Sequence, residues 1–298
     1  MRRPLPHHFR APKRLEYRPP VRGERLLKIH VLASGSAGNC ALVEAAGTCI
    51  LVDAGLSGSE LERRIAAVGA DVRNLSGILL THEHADHVRG AGILARRHGI
   101  PVYLTRGTHE AETKHLGEIP TIRHVKPGRD FELGGIGIRP FSTPHTSQGS
   151  RQTNQRERVA DPVAYVFFHE GVKAGYATDL GHPIALMDQH LAGCRLLVLE
   201  FNHDPAMLVN GPYPWPVKQW IKGRGGHLSN EEAAQLLKKI LSHDERLEAL
   251  VLAHLSETNN TPELALCAAR SVLRAELQEK IALHVAGPDT TITIAVRC

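Results

Sequence analysis

One short stretch of the chain, Thr81–His87, contains three histidines and an aspartate, which are residue types that bind transition metals. It has the sequence THEHADH and follows a short apolar run. His82 and His84 are two positions apart, so in an extended segment their side chains point to the same side. Asp86 and His87 follow at once and can face a second centre nearby. These ligand types suit Zn²⁺, Mn²⁺ or Fe²⁺, and they predict a metal site. A chance cluster of solvated histidines is the alternative.

The same order, an apolar run followed by a ligand-type residue, recurs later in the chain. It places His145, Asp179 and His254 just past the ends of strand-like runs. The ends of several core strands commonly meet at one edge of a sheet, where sites are built. A single histidine in such a place is more often a hydrogen-bonded surface residue. Together with THEHADH, however, these residues make up a plausible two-metal set.

The composition is ordinary for a soluble globular protein. The chain has 298 residues, of which 42% are apolar and 22% charged. No apolar run has the length of a membrane span, and no apolar segment of the signal-peptide type follows the N-terminus. We therefore expect a cytoplasmic protein without a membrane partner. Its five cysteines form no CxxC pair, which favours reduced thiols over a disulfide framework.

The first 25 residues are rich in proline and arginine and show no apolar periodicity. They predict a disordered basic leader over 1–25, followed by one hydrolase domain over 26–298. Residues 1–28 carry a net charge of +7, so the total of +5 leaves −2 for the rest of the chain. Basic arms of this kind bind nucleic acid. A solvated tail or an upstream start codon explains the leader equally well.

The order of predicted elements indicates the fold class. Strand-like runs from Leu26 to Val52 read as a β-meander, and later strands alternate with helices. Helical spacing covers Val88–His98, a capping box at Ser229 begins a helix to about Leu241, and a helix from Thr261 extends to about Leu277. Two successive halves of this kind predict an α/β (α+β) fold, a four-layer αββα sandwich of two mixed β-sheets with outer helices.

The motifs resemble those of the metallo-β-lactamase fold superfamily, whose HxHxDH signature is intact here. A closer similarity is to its YycJ/WalJ branch of metallohydrolases, at LASGSAGNC, LVDAGL, THEHADH, TDLG, NHD…ML, GHLSN and LAHLSETNN. These motifs span Leu32 to Asn260. The resemblance implies a 5′→3′ exonuclease that acts on DNA and uses two divalent metal ions, with zinc, manganese and iron as the candidates.

The resemblance also implies how the site residues divide between two ions. The implied ligands are His82, His84 and His145 for one ion and Asp86, His87 and His254 for the other. Asp179 would bridge the two ions, and Asp53 would orient the HxHxDH loop from behind it. His203 and Asp204 would support the ligands in the same way, with helix capping as the alternative.

One departure from the branch concerns the third metal region. Pro144-His145-Thr146 stands where the branch usually has His-Asp-Ala, and a basic insert, Ser147–Arg158, follows it. His145 is kept as a ligand, but contacts to substrate near it are expected to differ.

Two metals suit a phosphodiester substrate because it is anionic and resists attack. Two cations about 3.5–4 Å apart can hold a hydroxide between them and stabilise charge on the phosphoryl oxygens. That bridging hydroxide is the predicted nucleophile, and Asp86 also lowers the net charge of the site. His227 is the candidate acid for the leaving oxygen, because Gly225 and Gly226 leave room for a phosphate beside it. A histidine that only caps its neighbours is the alternative.

Basic and aromatic residues near His227 are the candidate substrate contacts. Phosphates would be bound by the side chains of Lys218, Lys222, Arg224 and Ser229 and by arginines of the insert, Arg151, Arg156 and Arg158. Bases would stack on Tyr213, Trp215 and Trp220. Solvated surface charges and ordinary helix packing are the alternatives.

Other functions fit the same core. A cyclic phosphodiesterase for small molecules is one, and a metal-stabilised regulatory protein is another. The full ligand set argues against the regulatory protein, because structural zinc sites need only four ligands. A β-lactamase would need a secretion signal, whereas a thioester hydrolase is opposed only by the resemblance. The sequence leaves the metal, the nucleic acid, the direction of digestion and the oligomeric state open.

Overall fold

The computed structural model describes residues 25–111, 116–145 and 161–298, whose strands form two seven-stranded sheets. Of the predicted leader, only Arg25 belongs to these ranges. The predicted basic insert, Ser147–Arg158, lies outside them.

The first sheet has the strand order β14-β1-β2-β3-β4-β5-β6. Its antiparallel part contains β14, β1, β2 and β3, so the predicted β-meander is confirmed. From β3 to β6 the strands are parallel. The strands are β1 (Leu26–Ala33), β2 (Cys40–Ala45), β3 (Thr48–Val52), β4 (Leu75–Leu79), β5 (Val102–Leu104), β6 (Ile122–His124) and β14 (Ile292–Arg297).

The second sheet has the order β13-β12-β11-β10-β9-β8-β7. Strands β10 to β13 are parallel, whereas β7 to β10 are antiparallel. The strands are β7 (Phe131–Leu133), β8 (Ile136–Ser142), β9 (Val163–His169), β10 (Val172–Ala177), β11 (Leu196–Glu200), β12 (Ala249–Ala253) and β13 (Ala282–Val285).

Helices cover the outer faces of both sheets. They are α1 (Gly58–Ala67), α2 (Ala85–Val88), α3 (Ala91–His98), α4 (Arg106–Ala111), α5 (Ala185–Leu191), α6 (Pro205–Asn210), α7 (Trp215–Ile221), α8 (Asn230–His243), α9 (Pro262–Ser271) and α10 (Ala275–Lys280). One apolar cluster lies between the sheets, and two others lie between a sheet and its helices. The predicted αββα sandwich is therefore confirmed.

The central strands are mostly apolar because both of their faces are covered. All residues of β2 and β12 are buried, and β12 has the sequence ALVLA. Apolar runs of this kind do not alternate between apolar and polar residues. In the sequence, these strands are therefore recognised by the turns on either side of them. The polar residues that could take part in a reaction therefore lie just after the ends of these strands.

Two predicted helices are wrong in their extent. The helix predicted over Val88–His98 is divided between two helices, because α2 ends at Val88 and α3 begins at Ala91 after its N-cap, Gly90. The Gly90 N–H donates to the Ala54 carbonyl at 2.8 Å, and a Cβ at this position would lie 2.4 Å from the Leu56 carbonyl oxygen. The helix predicted from Thr261 to Leu277 likewise ends at Ser271, and a second one begins at Ala275. The predicted capping box at Ser229 is confirmed.

Candidate active site and metal centre

A buried carboxylate behind the THEHADH loop fixes its shape. Asp53 follows β3 and is fully buried. Its Oδ1 accepts a hydrogen bond from the Thr81 N–H at 2.8 Å, and its Oδ2 lies 2.8 Å from Nδ1 of His87. Burial raises the pKa of Asp53, although the neighbouring His87 opposes this shift. Because Nδ1 of His87 donates to Asp53, its Nε2 faces the site, where it lies 3.1 Å from Asn39 Nδ2.

The first predicted ligand set comes together from two distant parts of the chain. His82 and His84 lie in the loop, and His145 follows β8. Ring centroids are 4.5 Å apart for His82 and His84, 5.1 Å for His82 and His145, and 5.0 Å for His84 and His145. Nδ1 of His145 donates to the Gly226 carbonyl at 2.9 Å, which orients the ring. One nitrogen from each histidine lies within 4.8 Å of the others.

The second predicted set lies beside the first and shares Asp179 with it. Asp86 Oδ2 is 3.6 Å from His87 Nε2 and 3.7 Å from His254 Nε2. Asp179 Oδ2 lies 3.2 Å from His87 Nε2, and its Oδ1 lies 3.7 Å from His254 Nε2 and 3.8 Å from His145 Nε2. The carboxylate of Asp179 therefore contacts members of both sets, as a bridging ligand would.

Three of these residues have left-handed backbone conformations. Asp53, Asp179 and His254 have φ angles of 56°, 59° and 56°, and each follows the end of a buried strand. Non-glycine residues adopt this region at an energetic cost, and such residues cluster at functional sites. The backbone N–H of His254 also donates to Ser34 Oγ at 2.7 Å, which connects this residue to the first sheet.

The buried imidazoles differ in charge because their neighbours differ. Burial lowers the pKa of His145 to about 3, which keeps its ring neutral. Burial also disfavours the charged form of His254, but Asp179 with Asp86 and Glu200 outweighs it and raises the pKa to about 10. For Asp86, burial opposes ionisation, and the positive charge of His87 overcomes this and lowers the pKa to about 2.

The donor set fits divalent metal ions. Nε2 of His82 and Nε2 of His254 are buried and have no hydrogen-bond partner within the described ranges. A buried polar atom without a partner costs free energy, which a bound cation at these nitrogens would recover. Imidazole nitrogens combined with carboxylate oxygens are the ligands that zinc, manganese and iron accept.

Glu200, which was not predicted from the sequence, lies directly behind the site. It ends β11 and is fully buried. In the sheet order β11 lies between β10, which precedes Asp179, and β12, which precedes His254. Its Oε2 accepts from the backbone N–H groups of Leu180 and Leu228 at 2.9 and 3.0 Å. Its Oε1 lies 2.9 Å from His227 Nδ1 and 3.2 Å from His254 Nδ1.

The sequence did contain a signal for Glu200. It follows the apolar run Leu196–Leu199, the same pattern that identified Asp179 and His254. Burial opposes the charge of Glu200, but His227 and His254 lower its pKa to about 2. With Asp179, these two histidines and Glu200 form a further group of metal-type ligands. Because both oxygens of Glu200 already accept hydrogen bonds, its geometry is that of a carboxylate that orients the two rings.

His227, the candidate acid, lines the pocket above the ligands. Its Nδ1 is 3.6 Å from Asp179 Oδ1 in addition to its contact with Glu200. Its ring packs edge-on against Trp220, with centroids 5.3 Å apart and an angle of 85° between the planes. The ring is thus held by a carboxylate on one side and an indole on the other, which leaves Nε2 for a molecule in the pocket.

Asn39 is a second buried residue that the sequence did not identify. It belongs to the small-residue turn of the LASGSAGNC motif and is fully buried. Its Nδ2 lies 3.3 Å from Asp86 Oδ2 and 3.0 Å from the Gly35 carbonyl. The backbone of Asp86 is held as well, because its carbonyl accepts from the Asn39 N–H at 2.7 Å. The turn therefore supports the ligand loop from the opposite side to Asp53.

The other predicted supporting residues have different surroundings. His203 is buried, its pKa is lowered to about 4 by burial, and its carbonyl accepts from the Asn230 N–H at 2.8 Å. Asp204 caps α6 and accepts from the Met207 N–H at 2.8 Å, in agreement with the capping alternative. Ser229 Oγ is occupied by the capping box, because it contacts Glu232 Oε2 at 2.9 Å.

The pocket at the predicted metal ligands has a volume of about 500 Å³ and an apolar wall. Tyr213, Val217, Trp220 and Ile221 form this wall beside His227. Trp215 is 65% exposed at the beginning of α7. In the described ranges, the pocket lining includes none of the predicted phosphate contacts, Lys218, Lys222, Arg224 and Ser229.

Two of those basic residues have partners close by. Lys218 Nζ donates to the Val209 carbonyl at 2.7 Å, and Arg224 Nη2 lies 3.0 Å from His182 Nε2. Lys222 is exposed. Arg151, Arg156 and Arg158 lie outside the described residues. Among the helices of the described ranges, none has the length and hydropathy that spanning a membrane requires.

Comparisons with known proteins agree with this geometry. A family model for the beta-lactamase superfamily domain matches residues 48–254. The exodeoxyribonuclease YycJ of Bacillus anthracis is 34% identical over 267 residues, covering 88% of this chain and 96% of that protein. The exodeoxyribonuclease WalJ of Streptococcus pneumoniae is 35% identical over 242 residues, covering 80% of this chain and 85% of that protein.

A solved structure shows the same fold at low identity. The metallo-beta-lactamase fold protein YhfI from Bacillus subtilis superposes with a TM-score of 0.66 at 16% identity, and the match covers 91% of this chain and 100% of that one. The family model, the similarity to YycJ and WalJ and the shared sandwich lead to one conclusion: the chain belongs to the metallo-β-lactamase superfamily and to its YycJ/WalJ family.

Proposed function

We propose that this chain is a metal-dependent phosphodiesterase that degrades DNA from the 5′ end as an exonuclease. The observation that carries the proposal is the pair of ligand sets at the floor of an open pocket, joined by Asp179. The names of its relatives support DNA as the substrate, because YycJ and WalJ are exodeoxyribonucleases and this chain covers 85% or more of each.

Two divalent ions are proposed to bind in the site. His82, His84 and His145 would hold one of them, and Asp86, His87 and His254 the other. Asp179 is the shared ligand. Ions bound there would activate water as a nucleophile and offset charge on the phosphoryl oxygens. Asp53 and Glu200 would keep the histidine rings oriented, since each is within hydrogen-bond distance of Nδ1 of an implied ligand.

His227 is proposed to protonate the leaving oxygen. Nδ1 of its ring is 2.9 Å from Glu200 Oε1, so this nitrogen donates to the buried carboxylate. The opposite nitrogen, Nε2, is then the ring atom that can pass a proton to a substrate oxygen. Glu200 holds the ring in the orientation that the transfer needs. The contact with Trp220 limits rotation of the imidazole and excludes water from one side of it.

The apolar wall of the pocket is proposed to bind the nucleobase next to the reacting phosphate. Trp220 and Tyr213 present aromatic surface there, and Val217 and Ile221 complete it. Stacking on aromatic side chains tolerates any base, as a nuclease without sequence preference requires. The basic leader over 1–25 is proposed to add phosphate contacts, so its deletion should weaken DNA binding mainly at low salt.

A digestion panel tests the proposal. The purified protein would receive 5′-labelled duplex DNA, single-stranded DNA, RNA and a cyclic phosphodiester, each with Zn²⁺ or Mn²⁺. We expect release of labelled mononucleotide from DNA before shorter internal products accumulate. Loss of residues from the 3′ end would contradict the direction. Turnover of the cyclic phosphodiester alone would replace the proposal with a small-molecule phosphodiesterase.

Metal content completes the experiment. Elemental analysis of the same preparation should give about two ions per chain, and chelation should abolish turnover until metal is restored. One ion per chain at full activity would contradict the two-metal arrangement.

A further inference from the structure

A second pocket, here called the edge pocket, opens where the outermost strands of the two sheets meet. β6 ends the first sheet and β7 ends the second. The pocket has a volume of about 250 Å³. Its lining includes Tyr103, Arg123, Lys126, Arg129, Asp130 and Phe131.

The edge pocket carries an excess of positive charge. Arg123, Lys126 and Arg129 are exposed, and no ion pair joins any of them to a carboxylate of the described ranges. Asp130 is the acidic residue of the lining, and it pairs with Arg139 at 2.6 Å. This pairing lowers the pKa of Asp130 and compensates its charge. The three cations are therefore available to an anion from solution.

A rigid turn carries two of the three cations. The Arg129 N–H donates to the Lys126 carbonyl at 3.0 Å, and the Gly128 N–H donates to the Pro140 carbonyl at 2.7 Å. Gly128 has a φ of 75° and follows a proline, as a type II turn requires. Beside the turn, the rings of Tyr103 and Phe131 stack with centroids 5.5 Å apart and an angle of 8° between their planes. The pocket thus combines fixed cations with an aromatic wall.

The position of the edge pocket relates it to the metal ligands. β4, β5 and β6 are adjacent and parallel, so their carboxyl ends lie at the same edge of the sheet. The THEHADH loop follows β4, and the turn with Lys126 and Arg129 follows β6. Two strand spacings, about 10 Å, separate the ends of β4 and β6 from which the loop and the turn begin. An extended nucleic-acid strand covers that distance with a few nucleotides.

We propose that the edge pocket is a binding subsite for a nucleotide of the substrate strand, a few residues away from the bond cleaved at the metal ligands. Arg123, Lys126 and Arg129 bind its phosphate, and the ring pair of Tyr103 and Phe131 contacts its sugar or base. This inference rests on the proposed nuclease function. It predicts that KM depends on substrate length, because only a nucleic-acid strand long enough to reach β6 can bind the subsite.

The test compares two triple variants on single-stranded oligonucleotides of increasing length. Arg123→Ala, Lys126→Ala and Arg129→Ala are combined in one protein. The control combines Lys238→Ala, Lys239→Ala and Arg270→Ala, which removes the same charge from exposed positions of α8 and α9. In the parent and control proteins, KM should fall as the oligonucleotide lengthens from two to about ten nucleotides. In the triple edge-pocket variant, the ratio of KM for the shortest to KM for the longest oligonucleotide should be about tenfold smaller than in the parent. The salt dependence of DNA binding should also weaken.

Further arms identify the ligand and keep the test independent of folding. Arg129→Glu alone should raise KM for long oligonucleotides, and thermal unfolding should show that both proteins are folded. Inorganic phosphate and a poly-glutamate peptide serve as competitors. We expect inorganic phosphate to raise KM for long oligonucleotides more in the parent protein than in the edge-pocket variants. Two results would overturn the subsite: a parent-like length dependence in both edge-pocket variants, or binding of the poly-glutamate peptide to the edge pocket without binding of DNA there. Absence of nuclease activity in the parent protein would instead refute the proposed function.

Discussion

Two buried carboxylates, one from each sheet, support the candidate metal centre in different ways. Asp53 follows β3 in the first sheet and contacts His87 and the backbone of the loop that holds four implied ligands. Glu200 ends β11 in the second sheet and contacts His254 and His227, which belong to separate segments. Asp53 therefore fixes a loop, whereas Glu200 connects an implied ligand to the proposed acid.

The difference follows from how each half delivers its residues. In the first half, local chain geometry places several implied ligands on one loop, which Asp53 and Asn39 hold in position. In the second half, Asp179, His227 and His254 each come from a different segment, so their relative positions depend on the sheet and on one shared carboxylate. We expect damage to Asp53 to affect metal binding alone, and damage to Glu200 to affect metal binding and proton transfer.

The largest expected effect is that of removing a predicted ligand from the THEHADH loop. Asp86→Ala should abolish hydrolysis, because Asp86 contacts His87 and His254 at the second metal position. The fold should remain, because Asp86 lies in the pocket lining at the edge of the sandwich. Turnover, metal content and circular dichroism, measured on one preparation, report the activity, the bound metal and the fold of the variant. Full activity in this variant would refute the two-metal arrangement.

His227→Ala tests proton transfer separately from metal binding. The variant should keep both metals and lose about 10²–10⁴-fold in turnover, the range of a positioned acid. His243→Ala, at the end of α8, is the matched control and should leave the rate unchanged. Loss of a metal would make His227 a ligand, and an unchanged rate would show that the histidine only packs in its loop.

The two carboxylates can be compared directly with isosteric variants. Asp53→Asn and Glu200→Gln each place an amide where a histidine Nδ1 now meets a carboxylate oxygen. Both should weaken metal affinity by about 10–100-fold, the usual cost of losing a partner behind a ligand. At saturating metal, Asp53→Asn should regain parent turnover. Glu200→Gln should remain slow because His227 has also lost its partner.

Turnover as a function of metal concentration measures both effects. Glu44→Gln is the control, since Glu44 is a buried carboxylate of β2 that pairs with Lys28 and His30. It should leave the metal dependence of turnover unchanged. If the turnover of Glu200→Gln recovered completely at high metal concentration, Glu200 would support metal binding only, as Asp53 is expected to.

The smallest expected effect concerns Ser229. Its hydroxyl takes part in a capping box, so Ser229→Ala should lower the free energy of unfolding by about 1 kcal/mol. Chemical denaturation measures this, with Ser242→Ala on the exposed end of α8 as the comparison. KM for DNA should not change. A tenfold rise in KM without loss of stability would restore Ser229 as a substrate contact.

Much of the fold was predictable because its cues are local. Strands bounded by small-residue turns, the capping box at Ser229 and the order of elements led to the αββα sandwich. The helix boundaries were not predictable to the same degree. At Gly90, between α2 and α3, the backbone of Ala54 and Leu56 approaches the chain closely, and that approach comes from a segment more than thirty residues earlier.

By itself, the sequence determined that the histidines of the THEHADH loop lie together, because two-residue spacing is enough to present His82 and His84 on one side. It also determined the family through motifs spread from Leu32 to Asn260. Only the tertiary structure decided which buried polar residues serve the site. Glu200 and Asn39 matter through contacts with residues 27 to 54 positions away along the chain. The edge pocket, too, exists only because the last strands of two sheets meet, and no local pattern encodes that meeting.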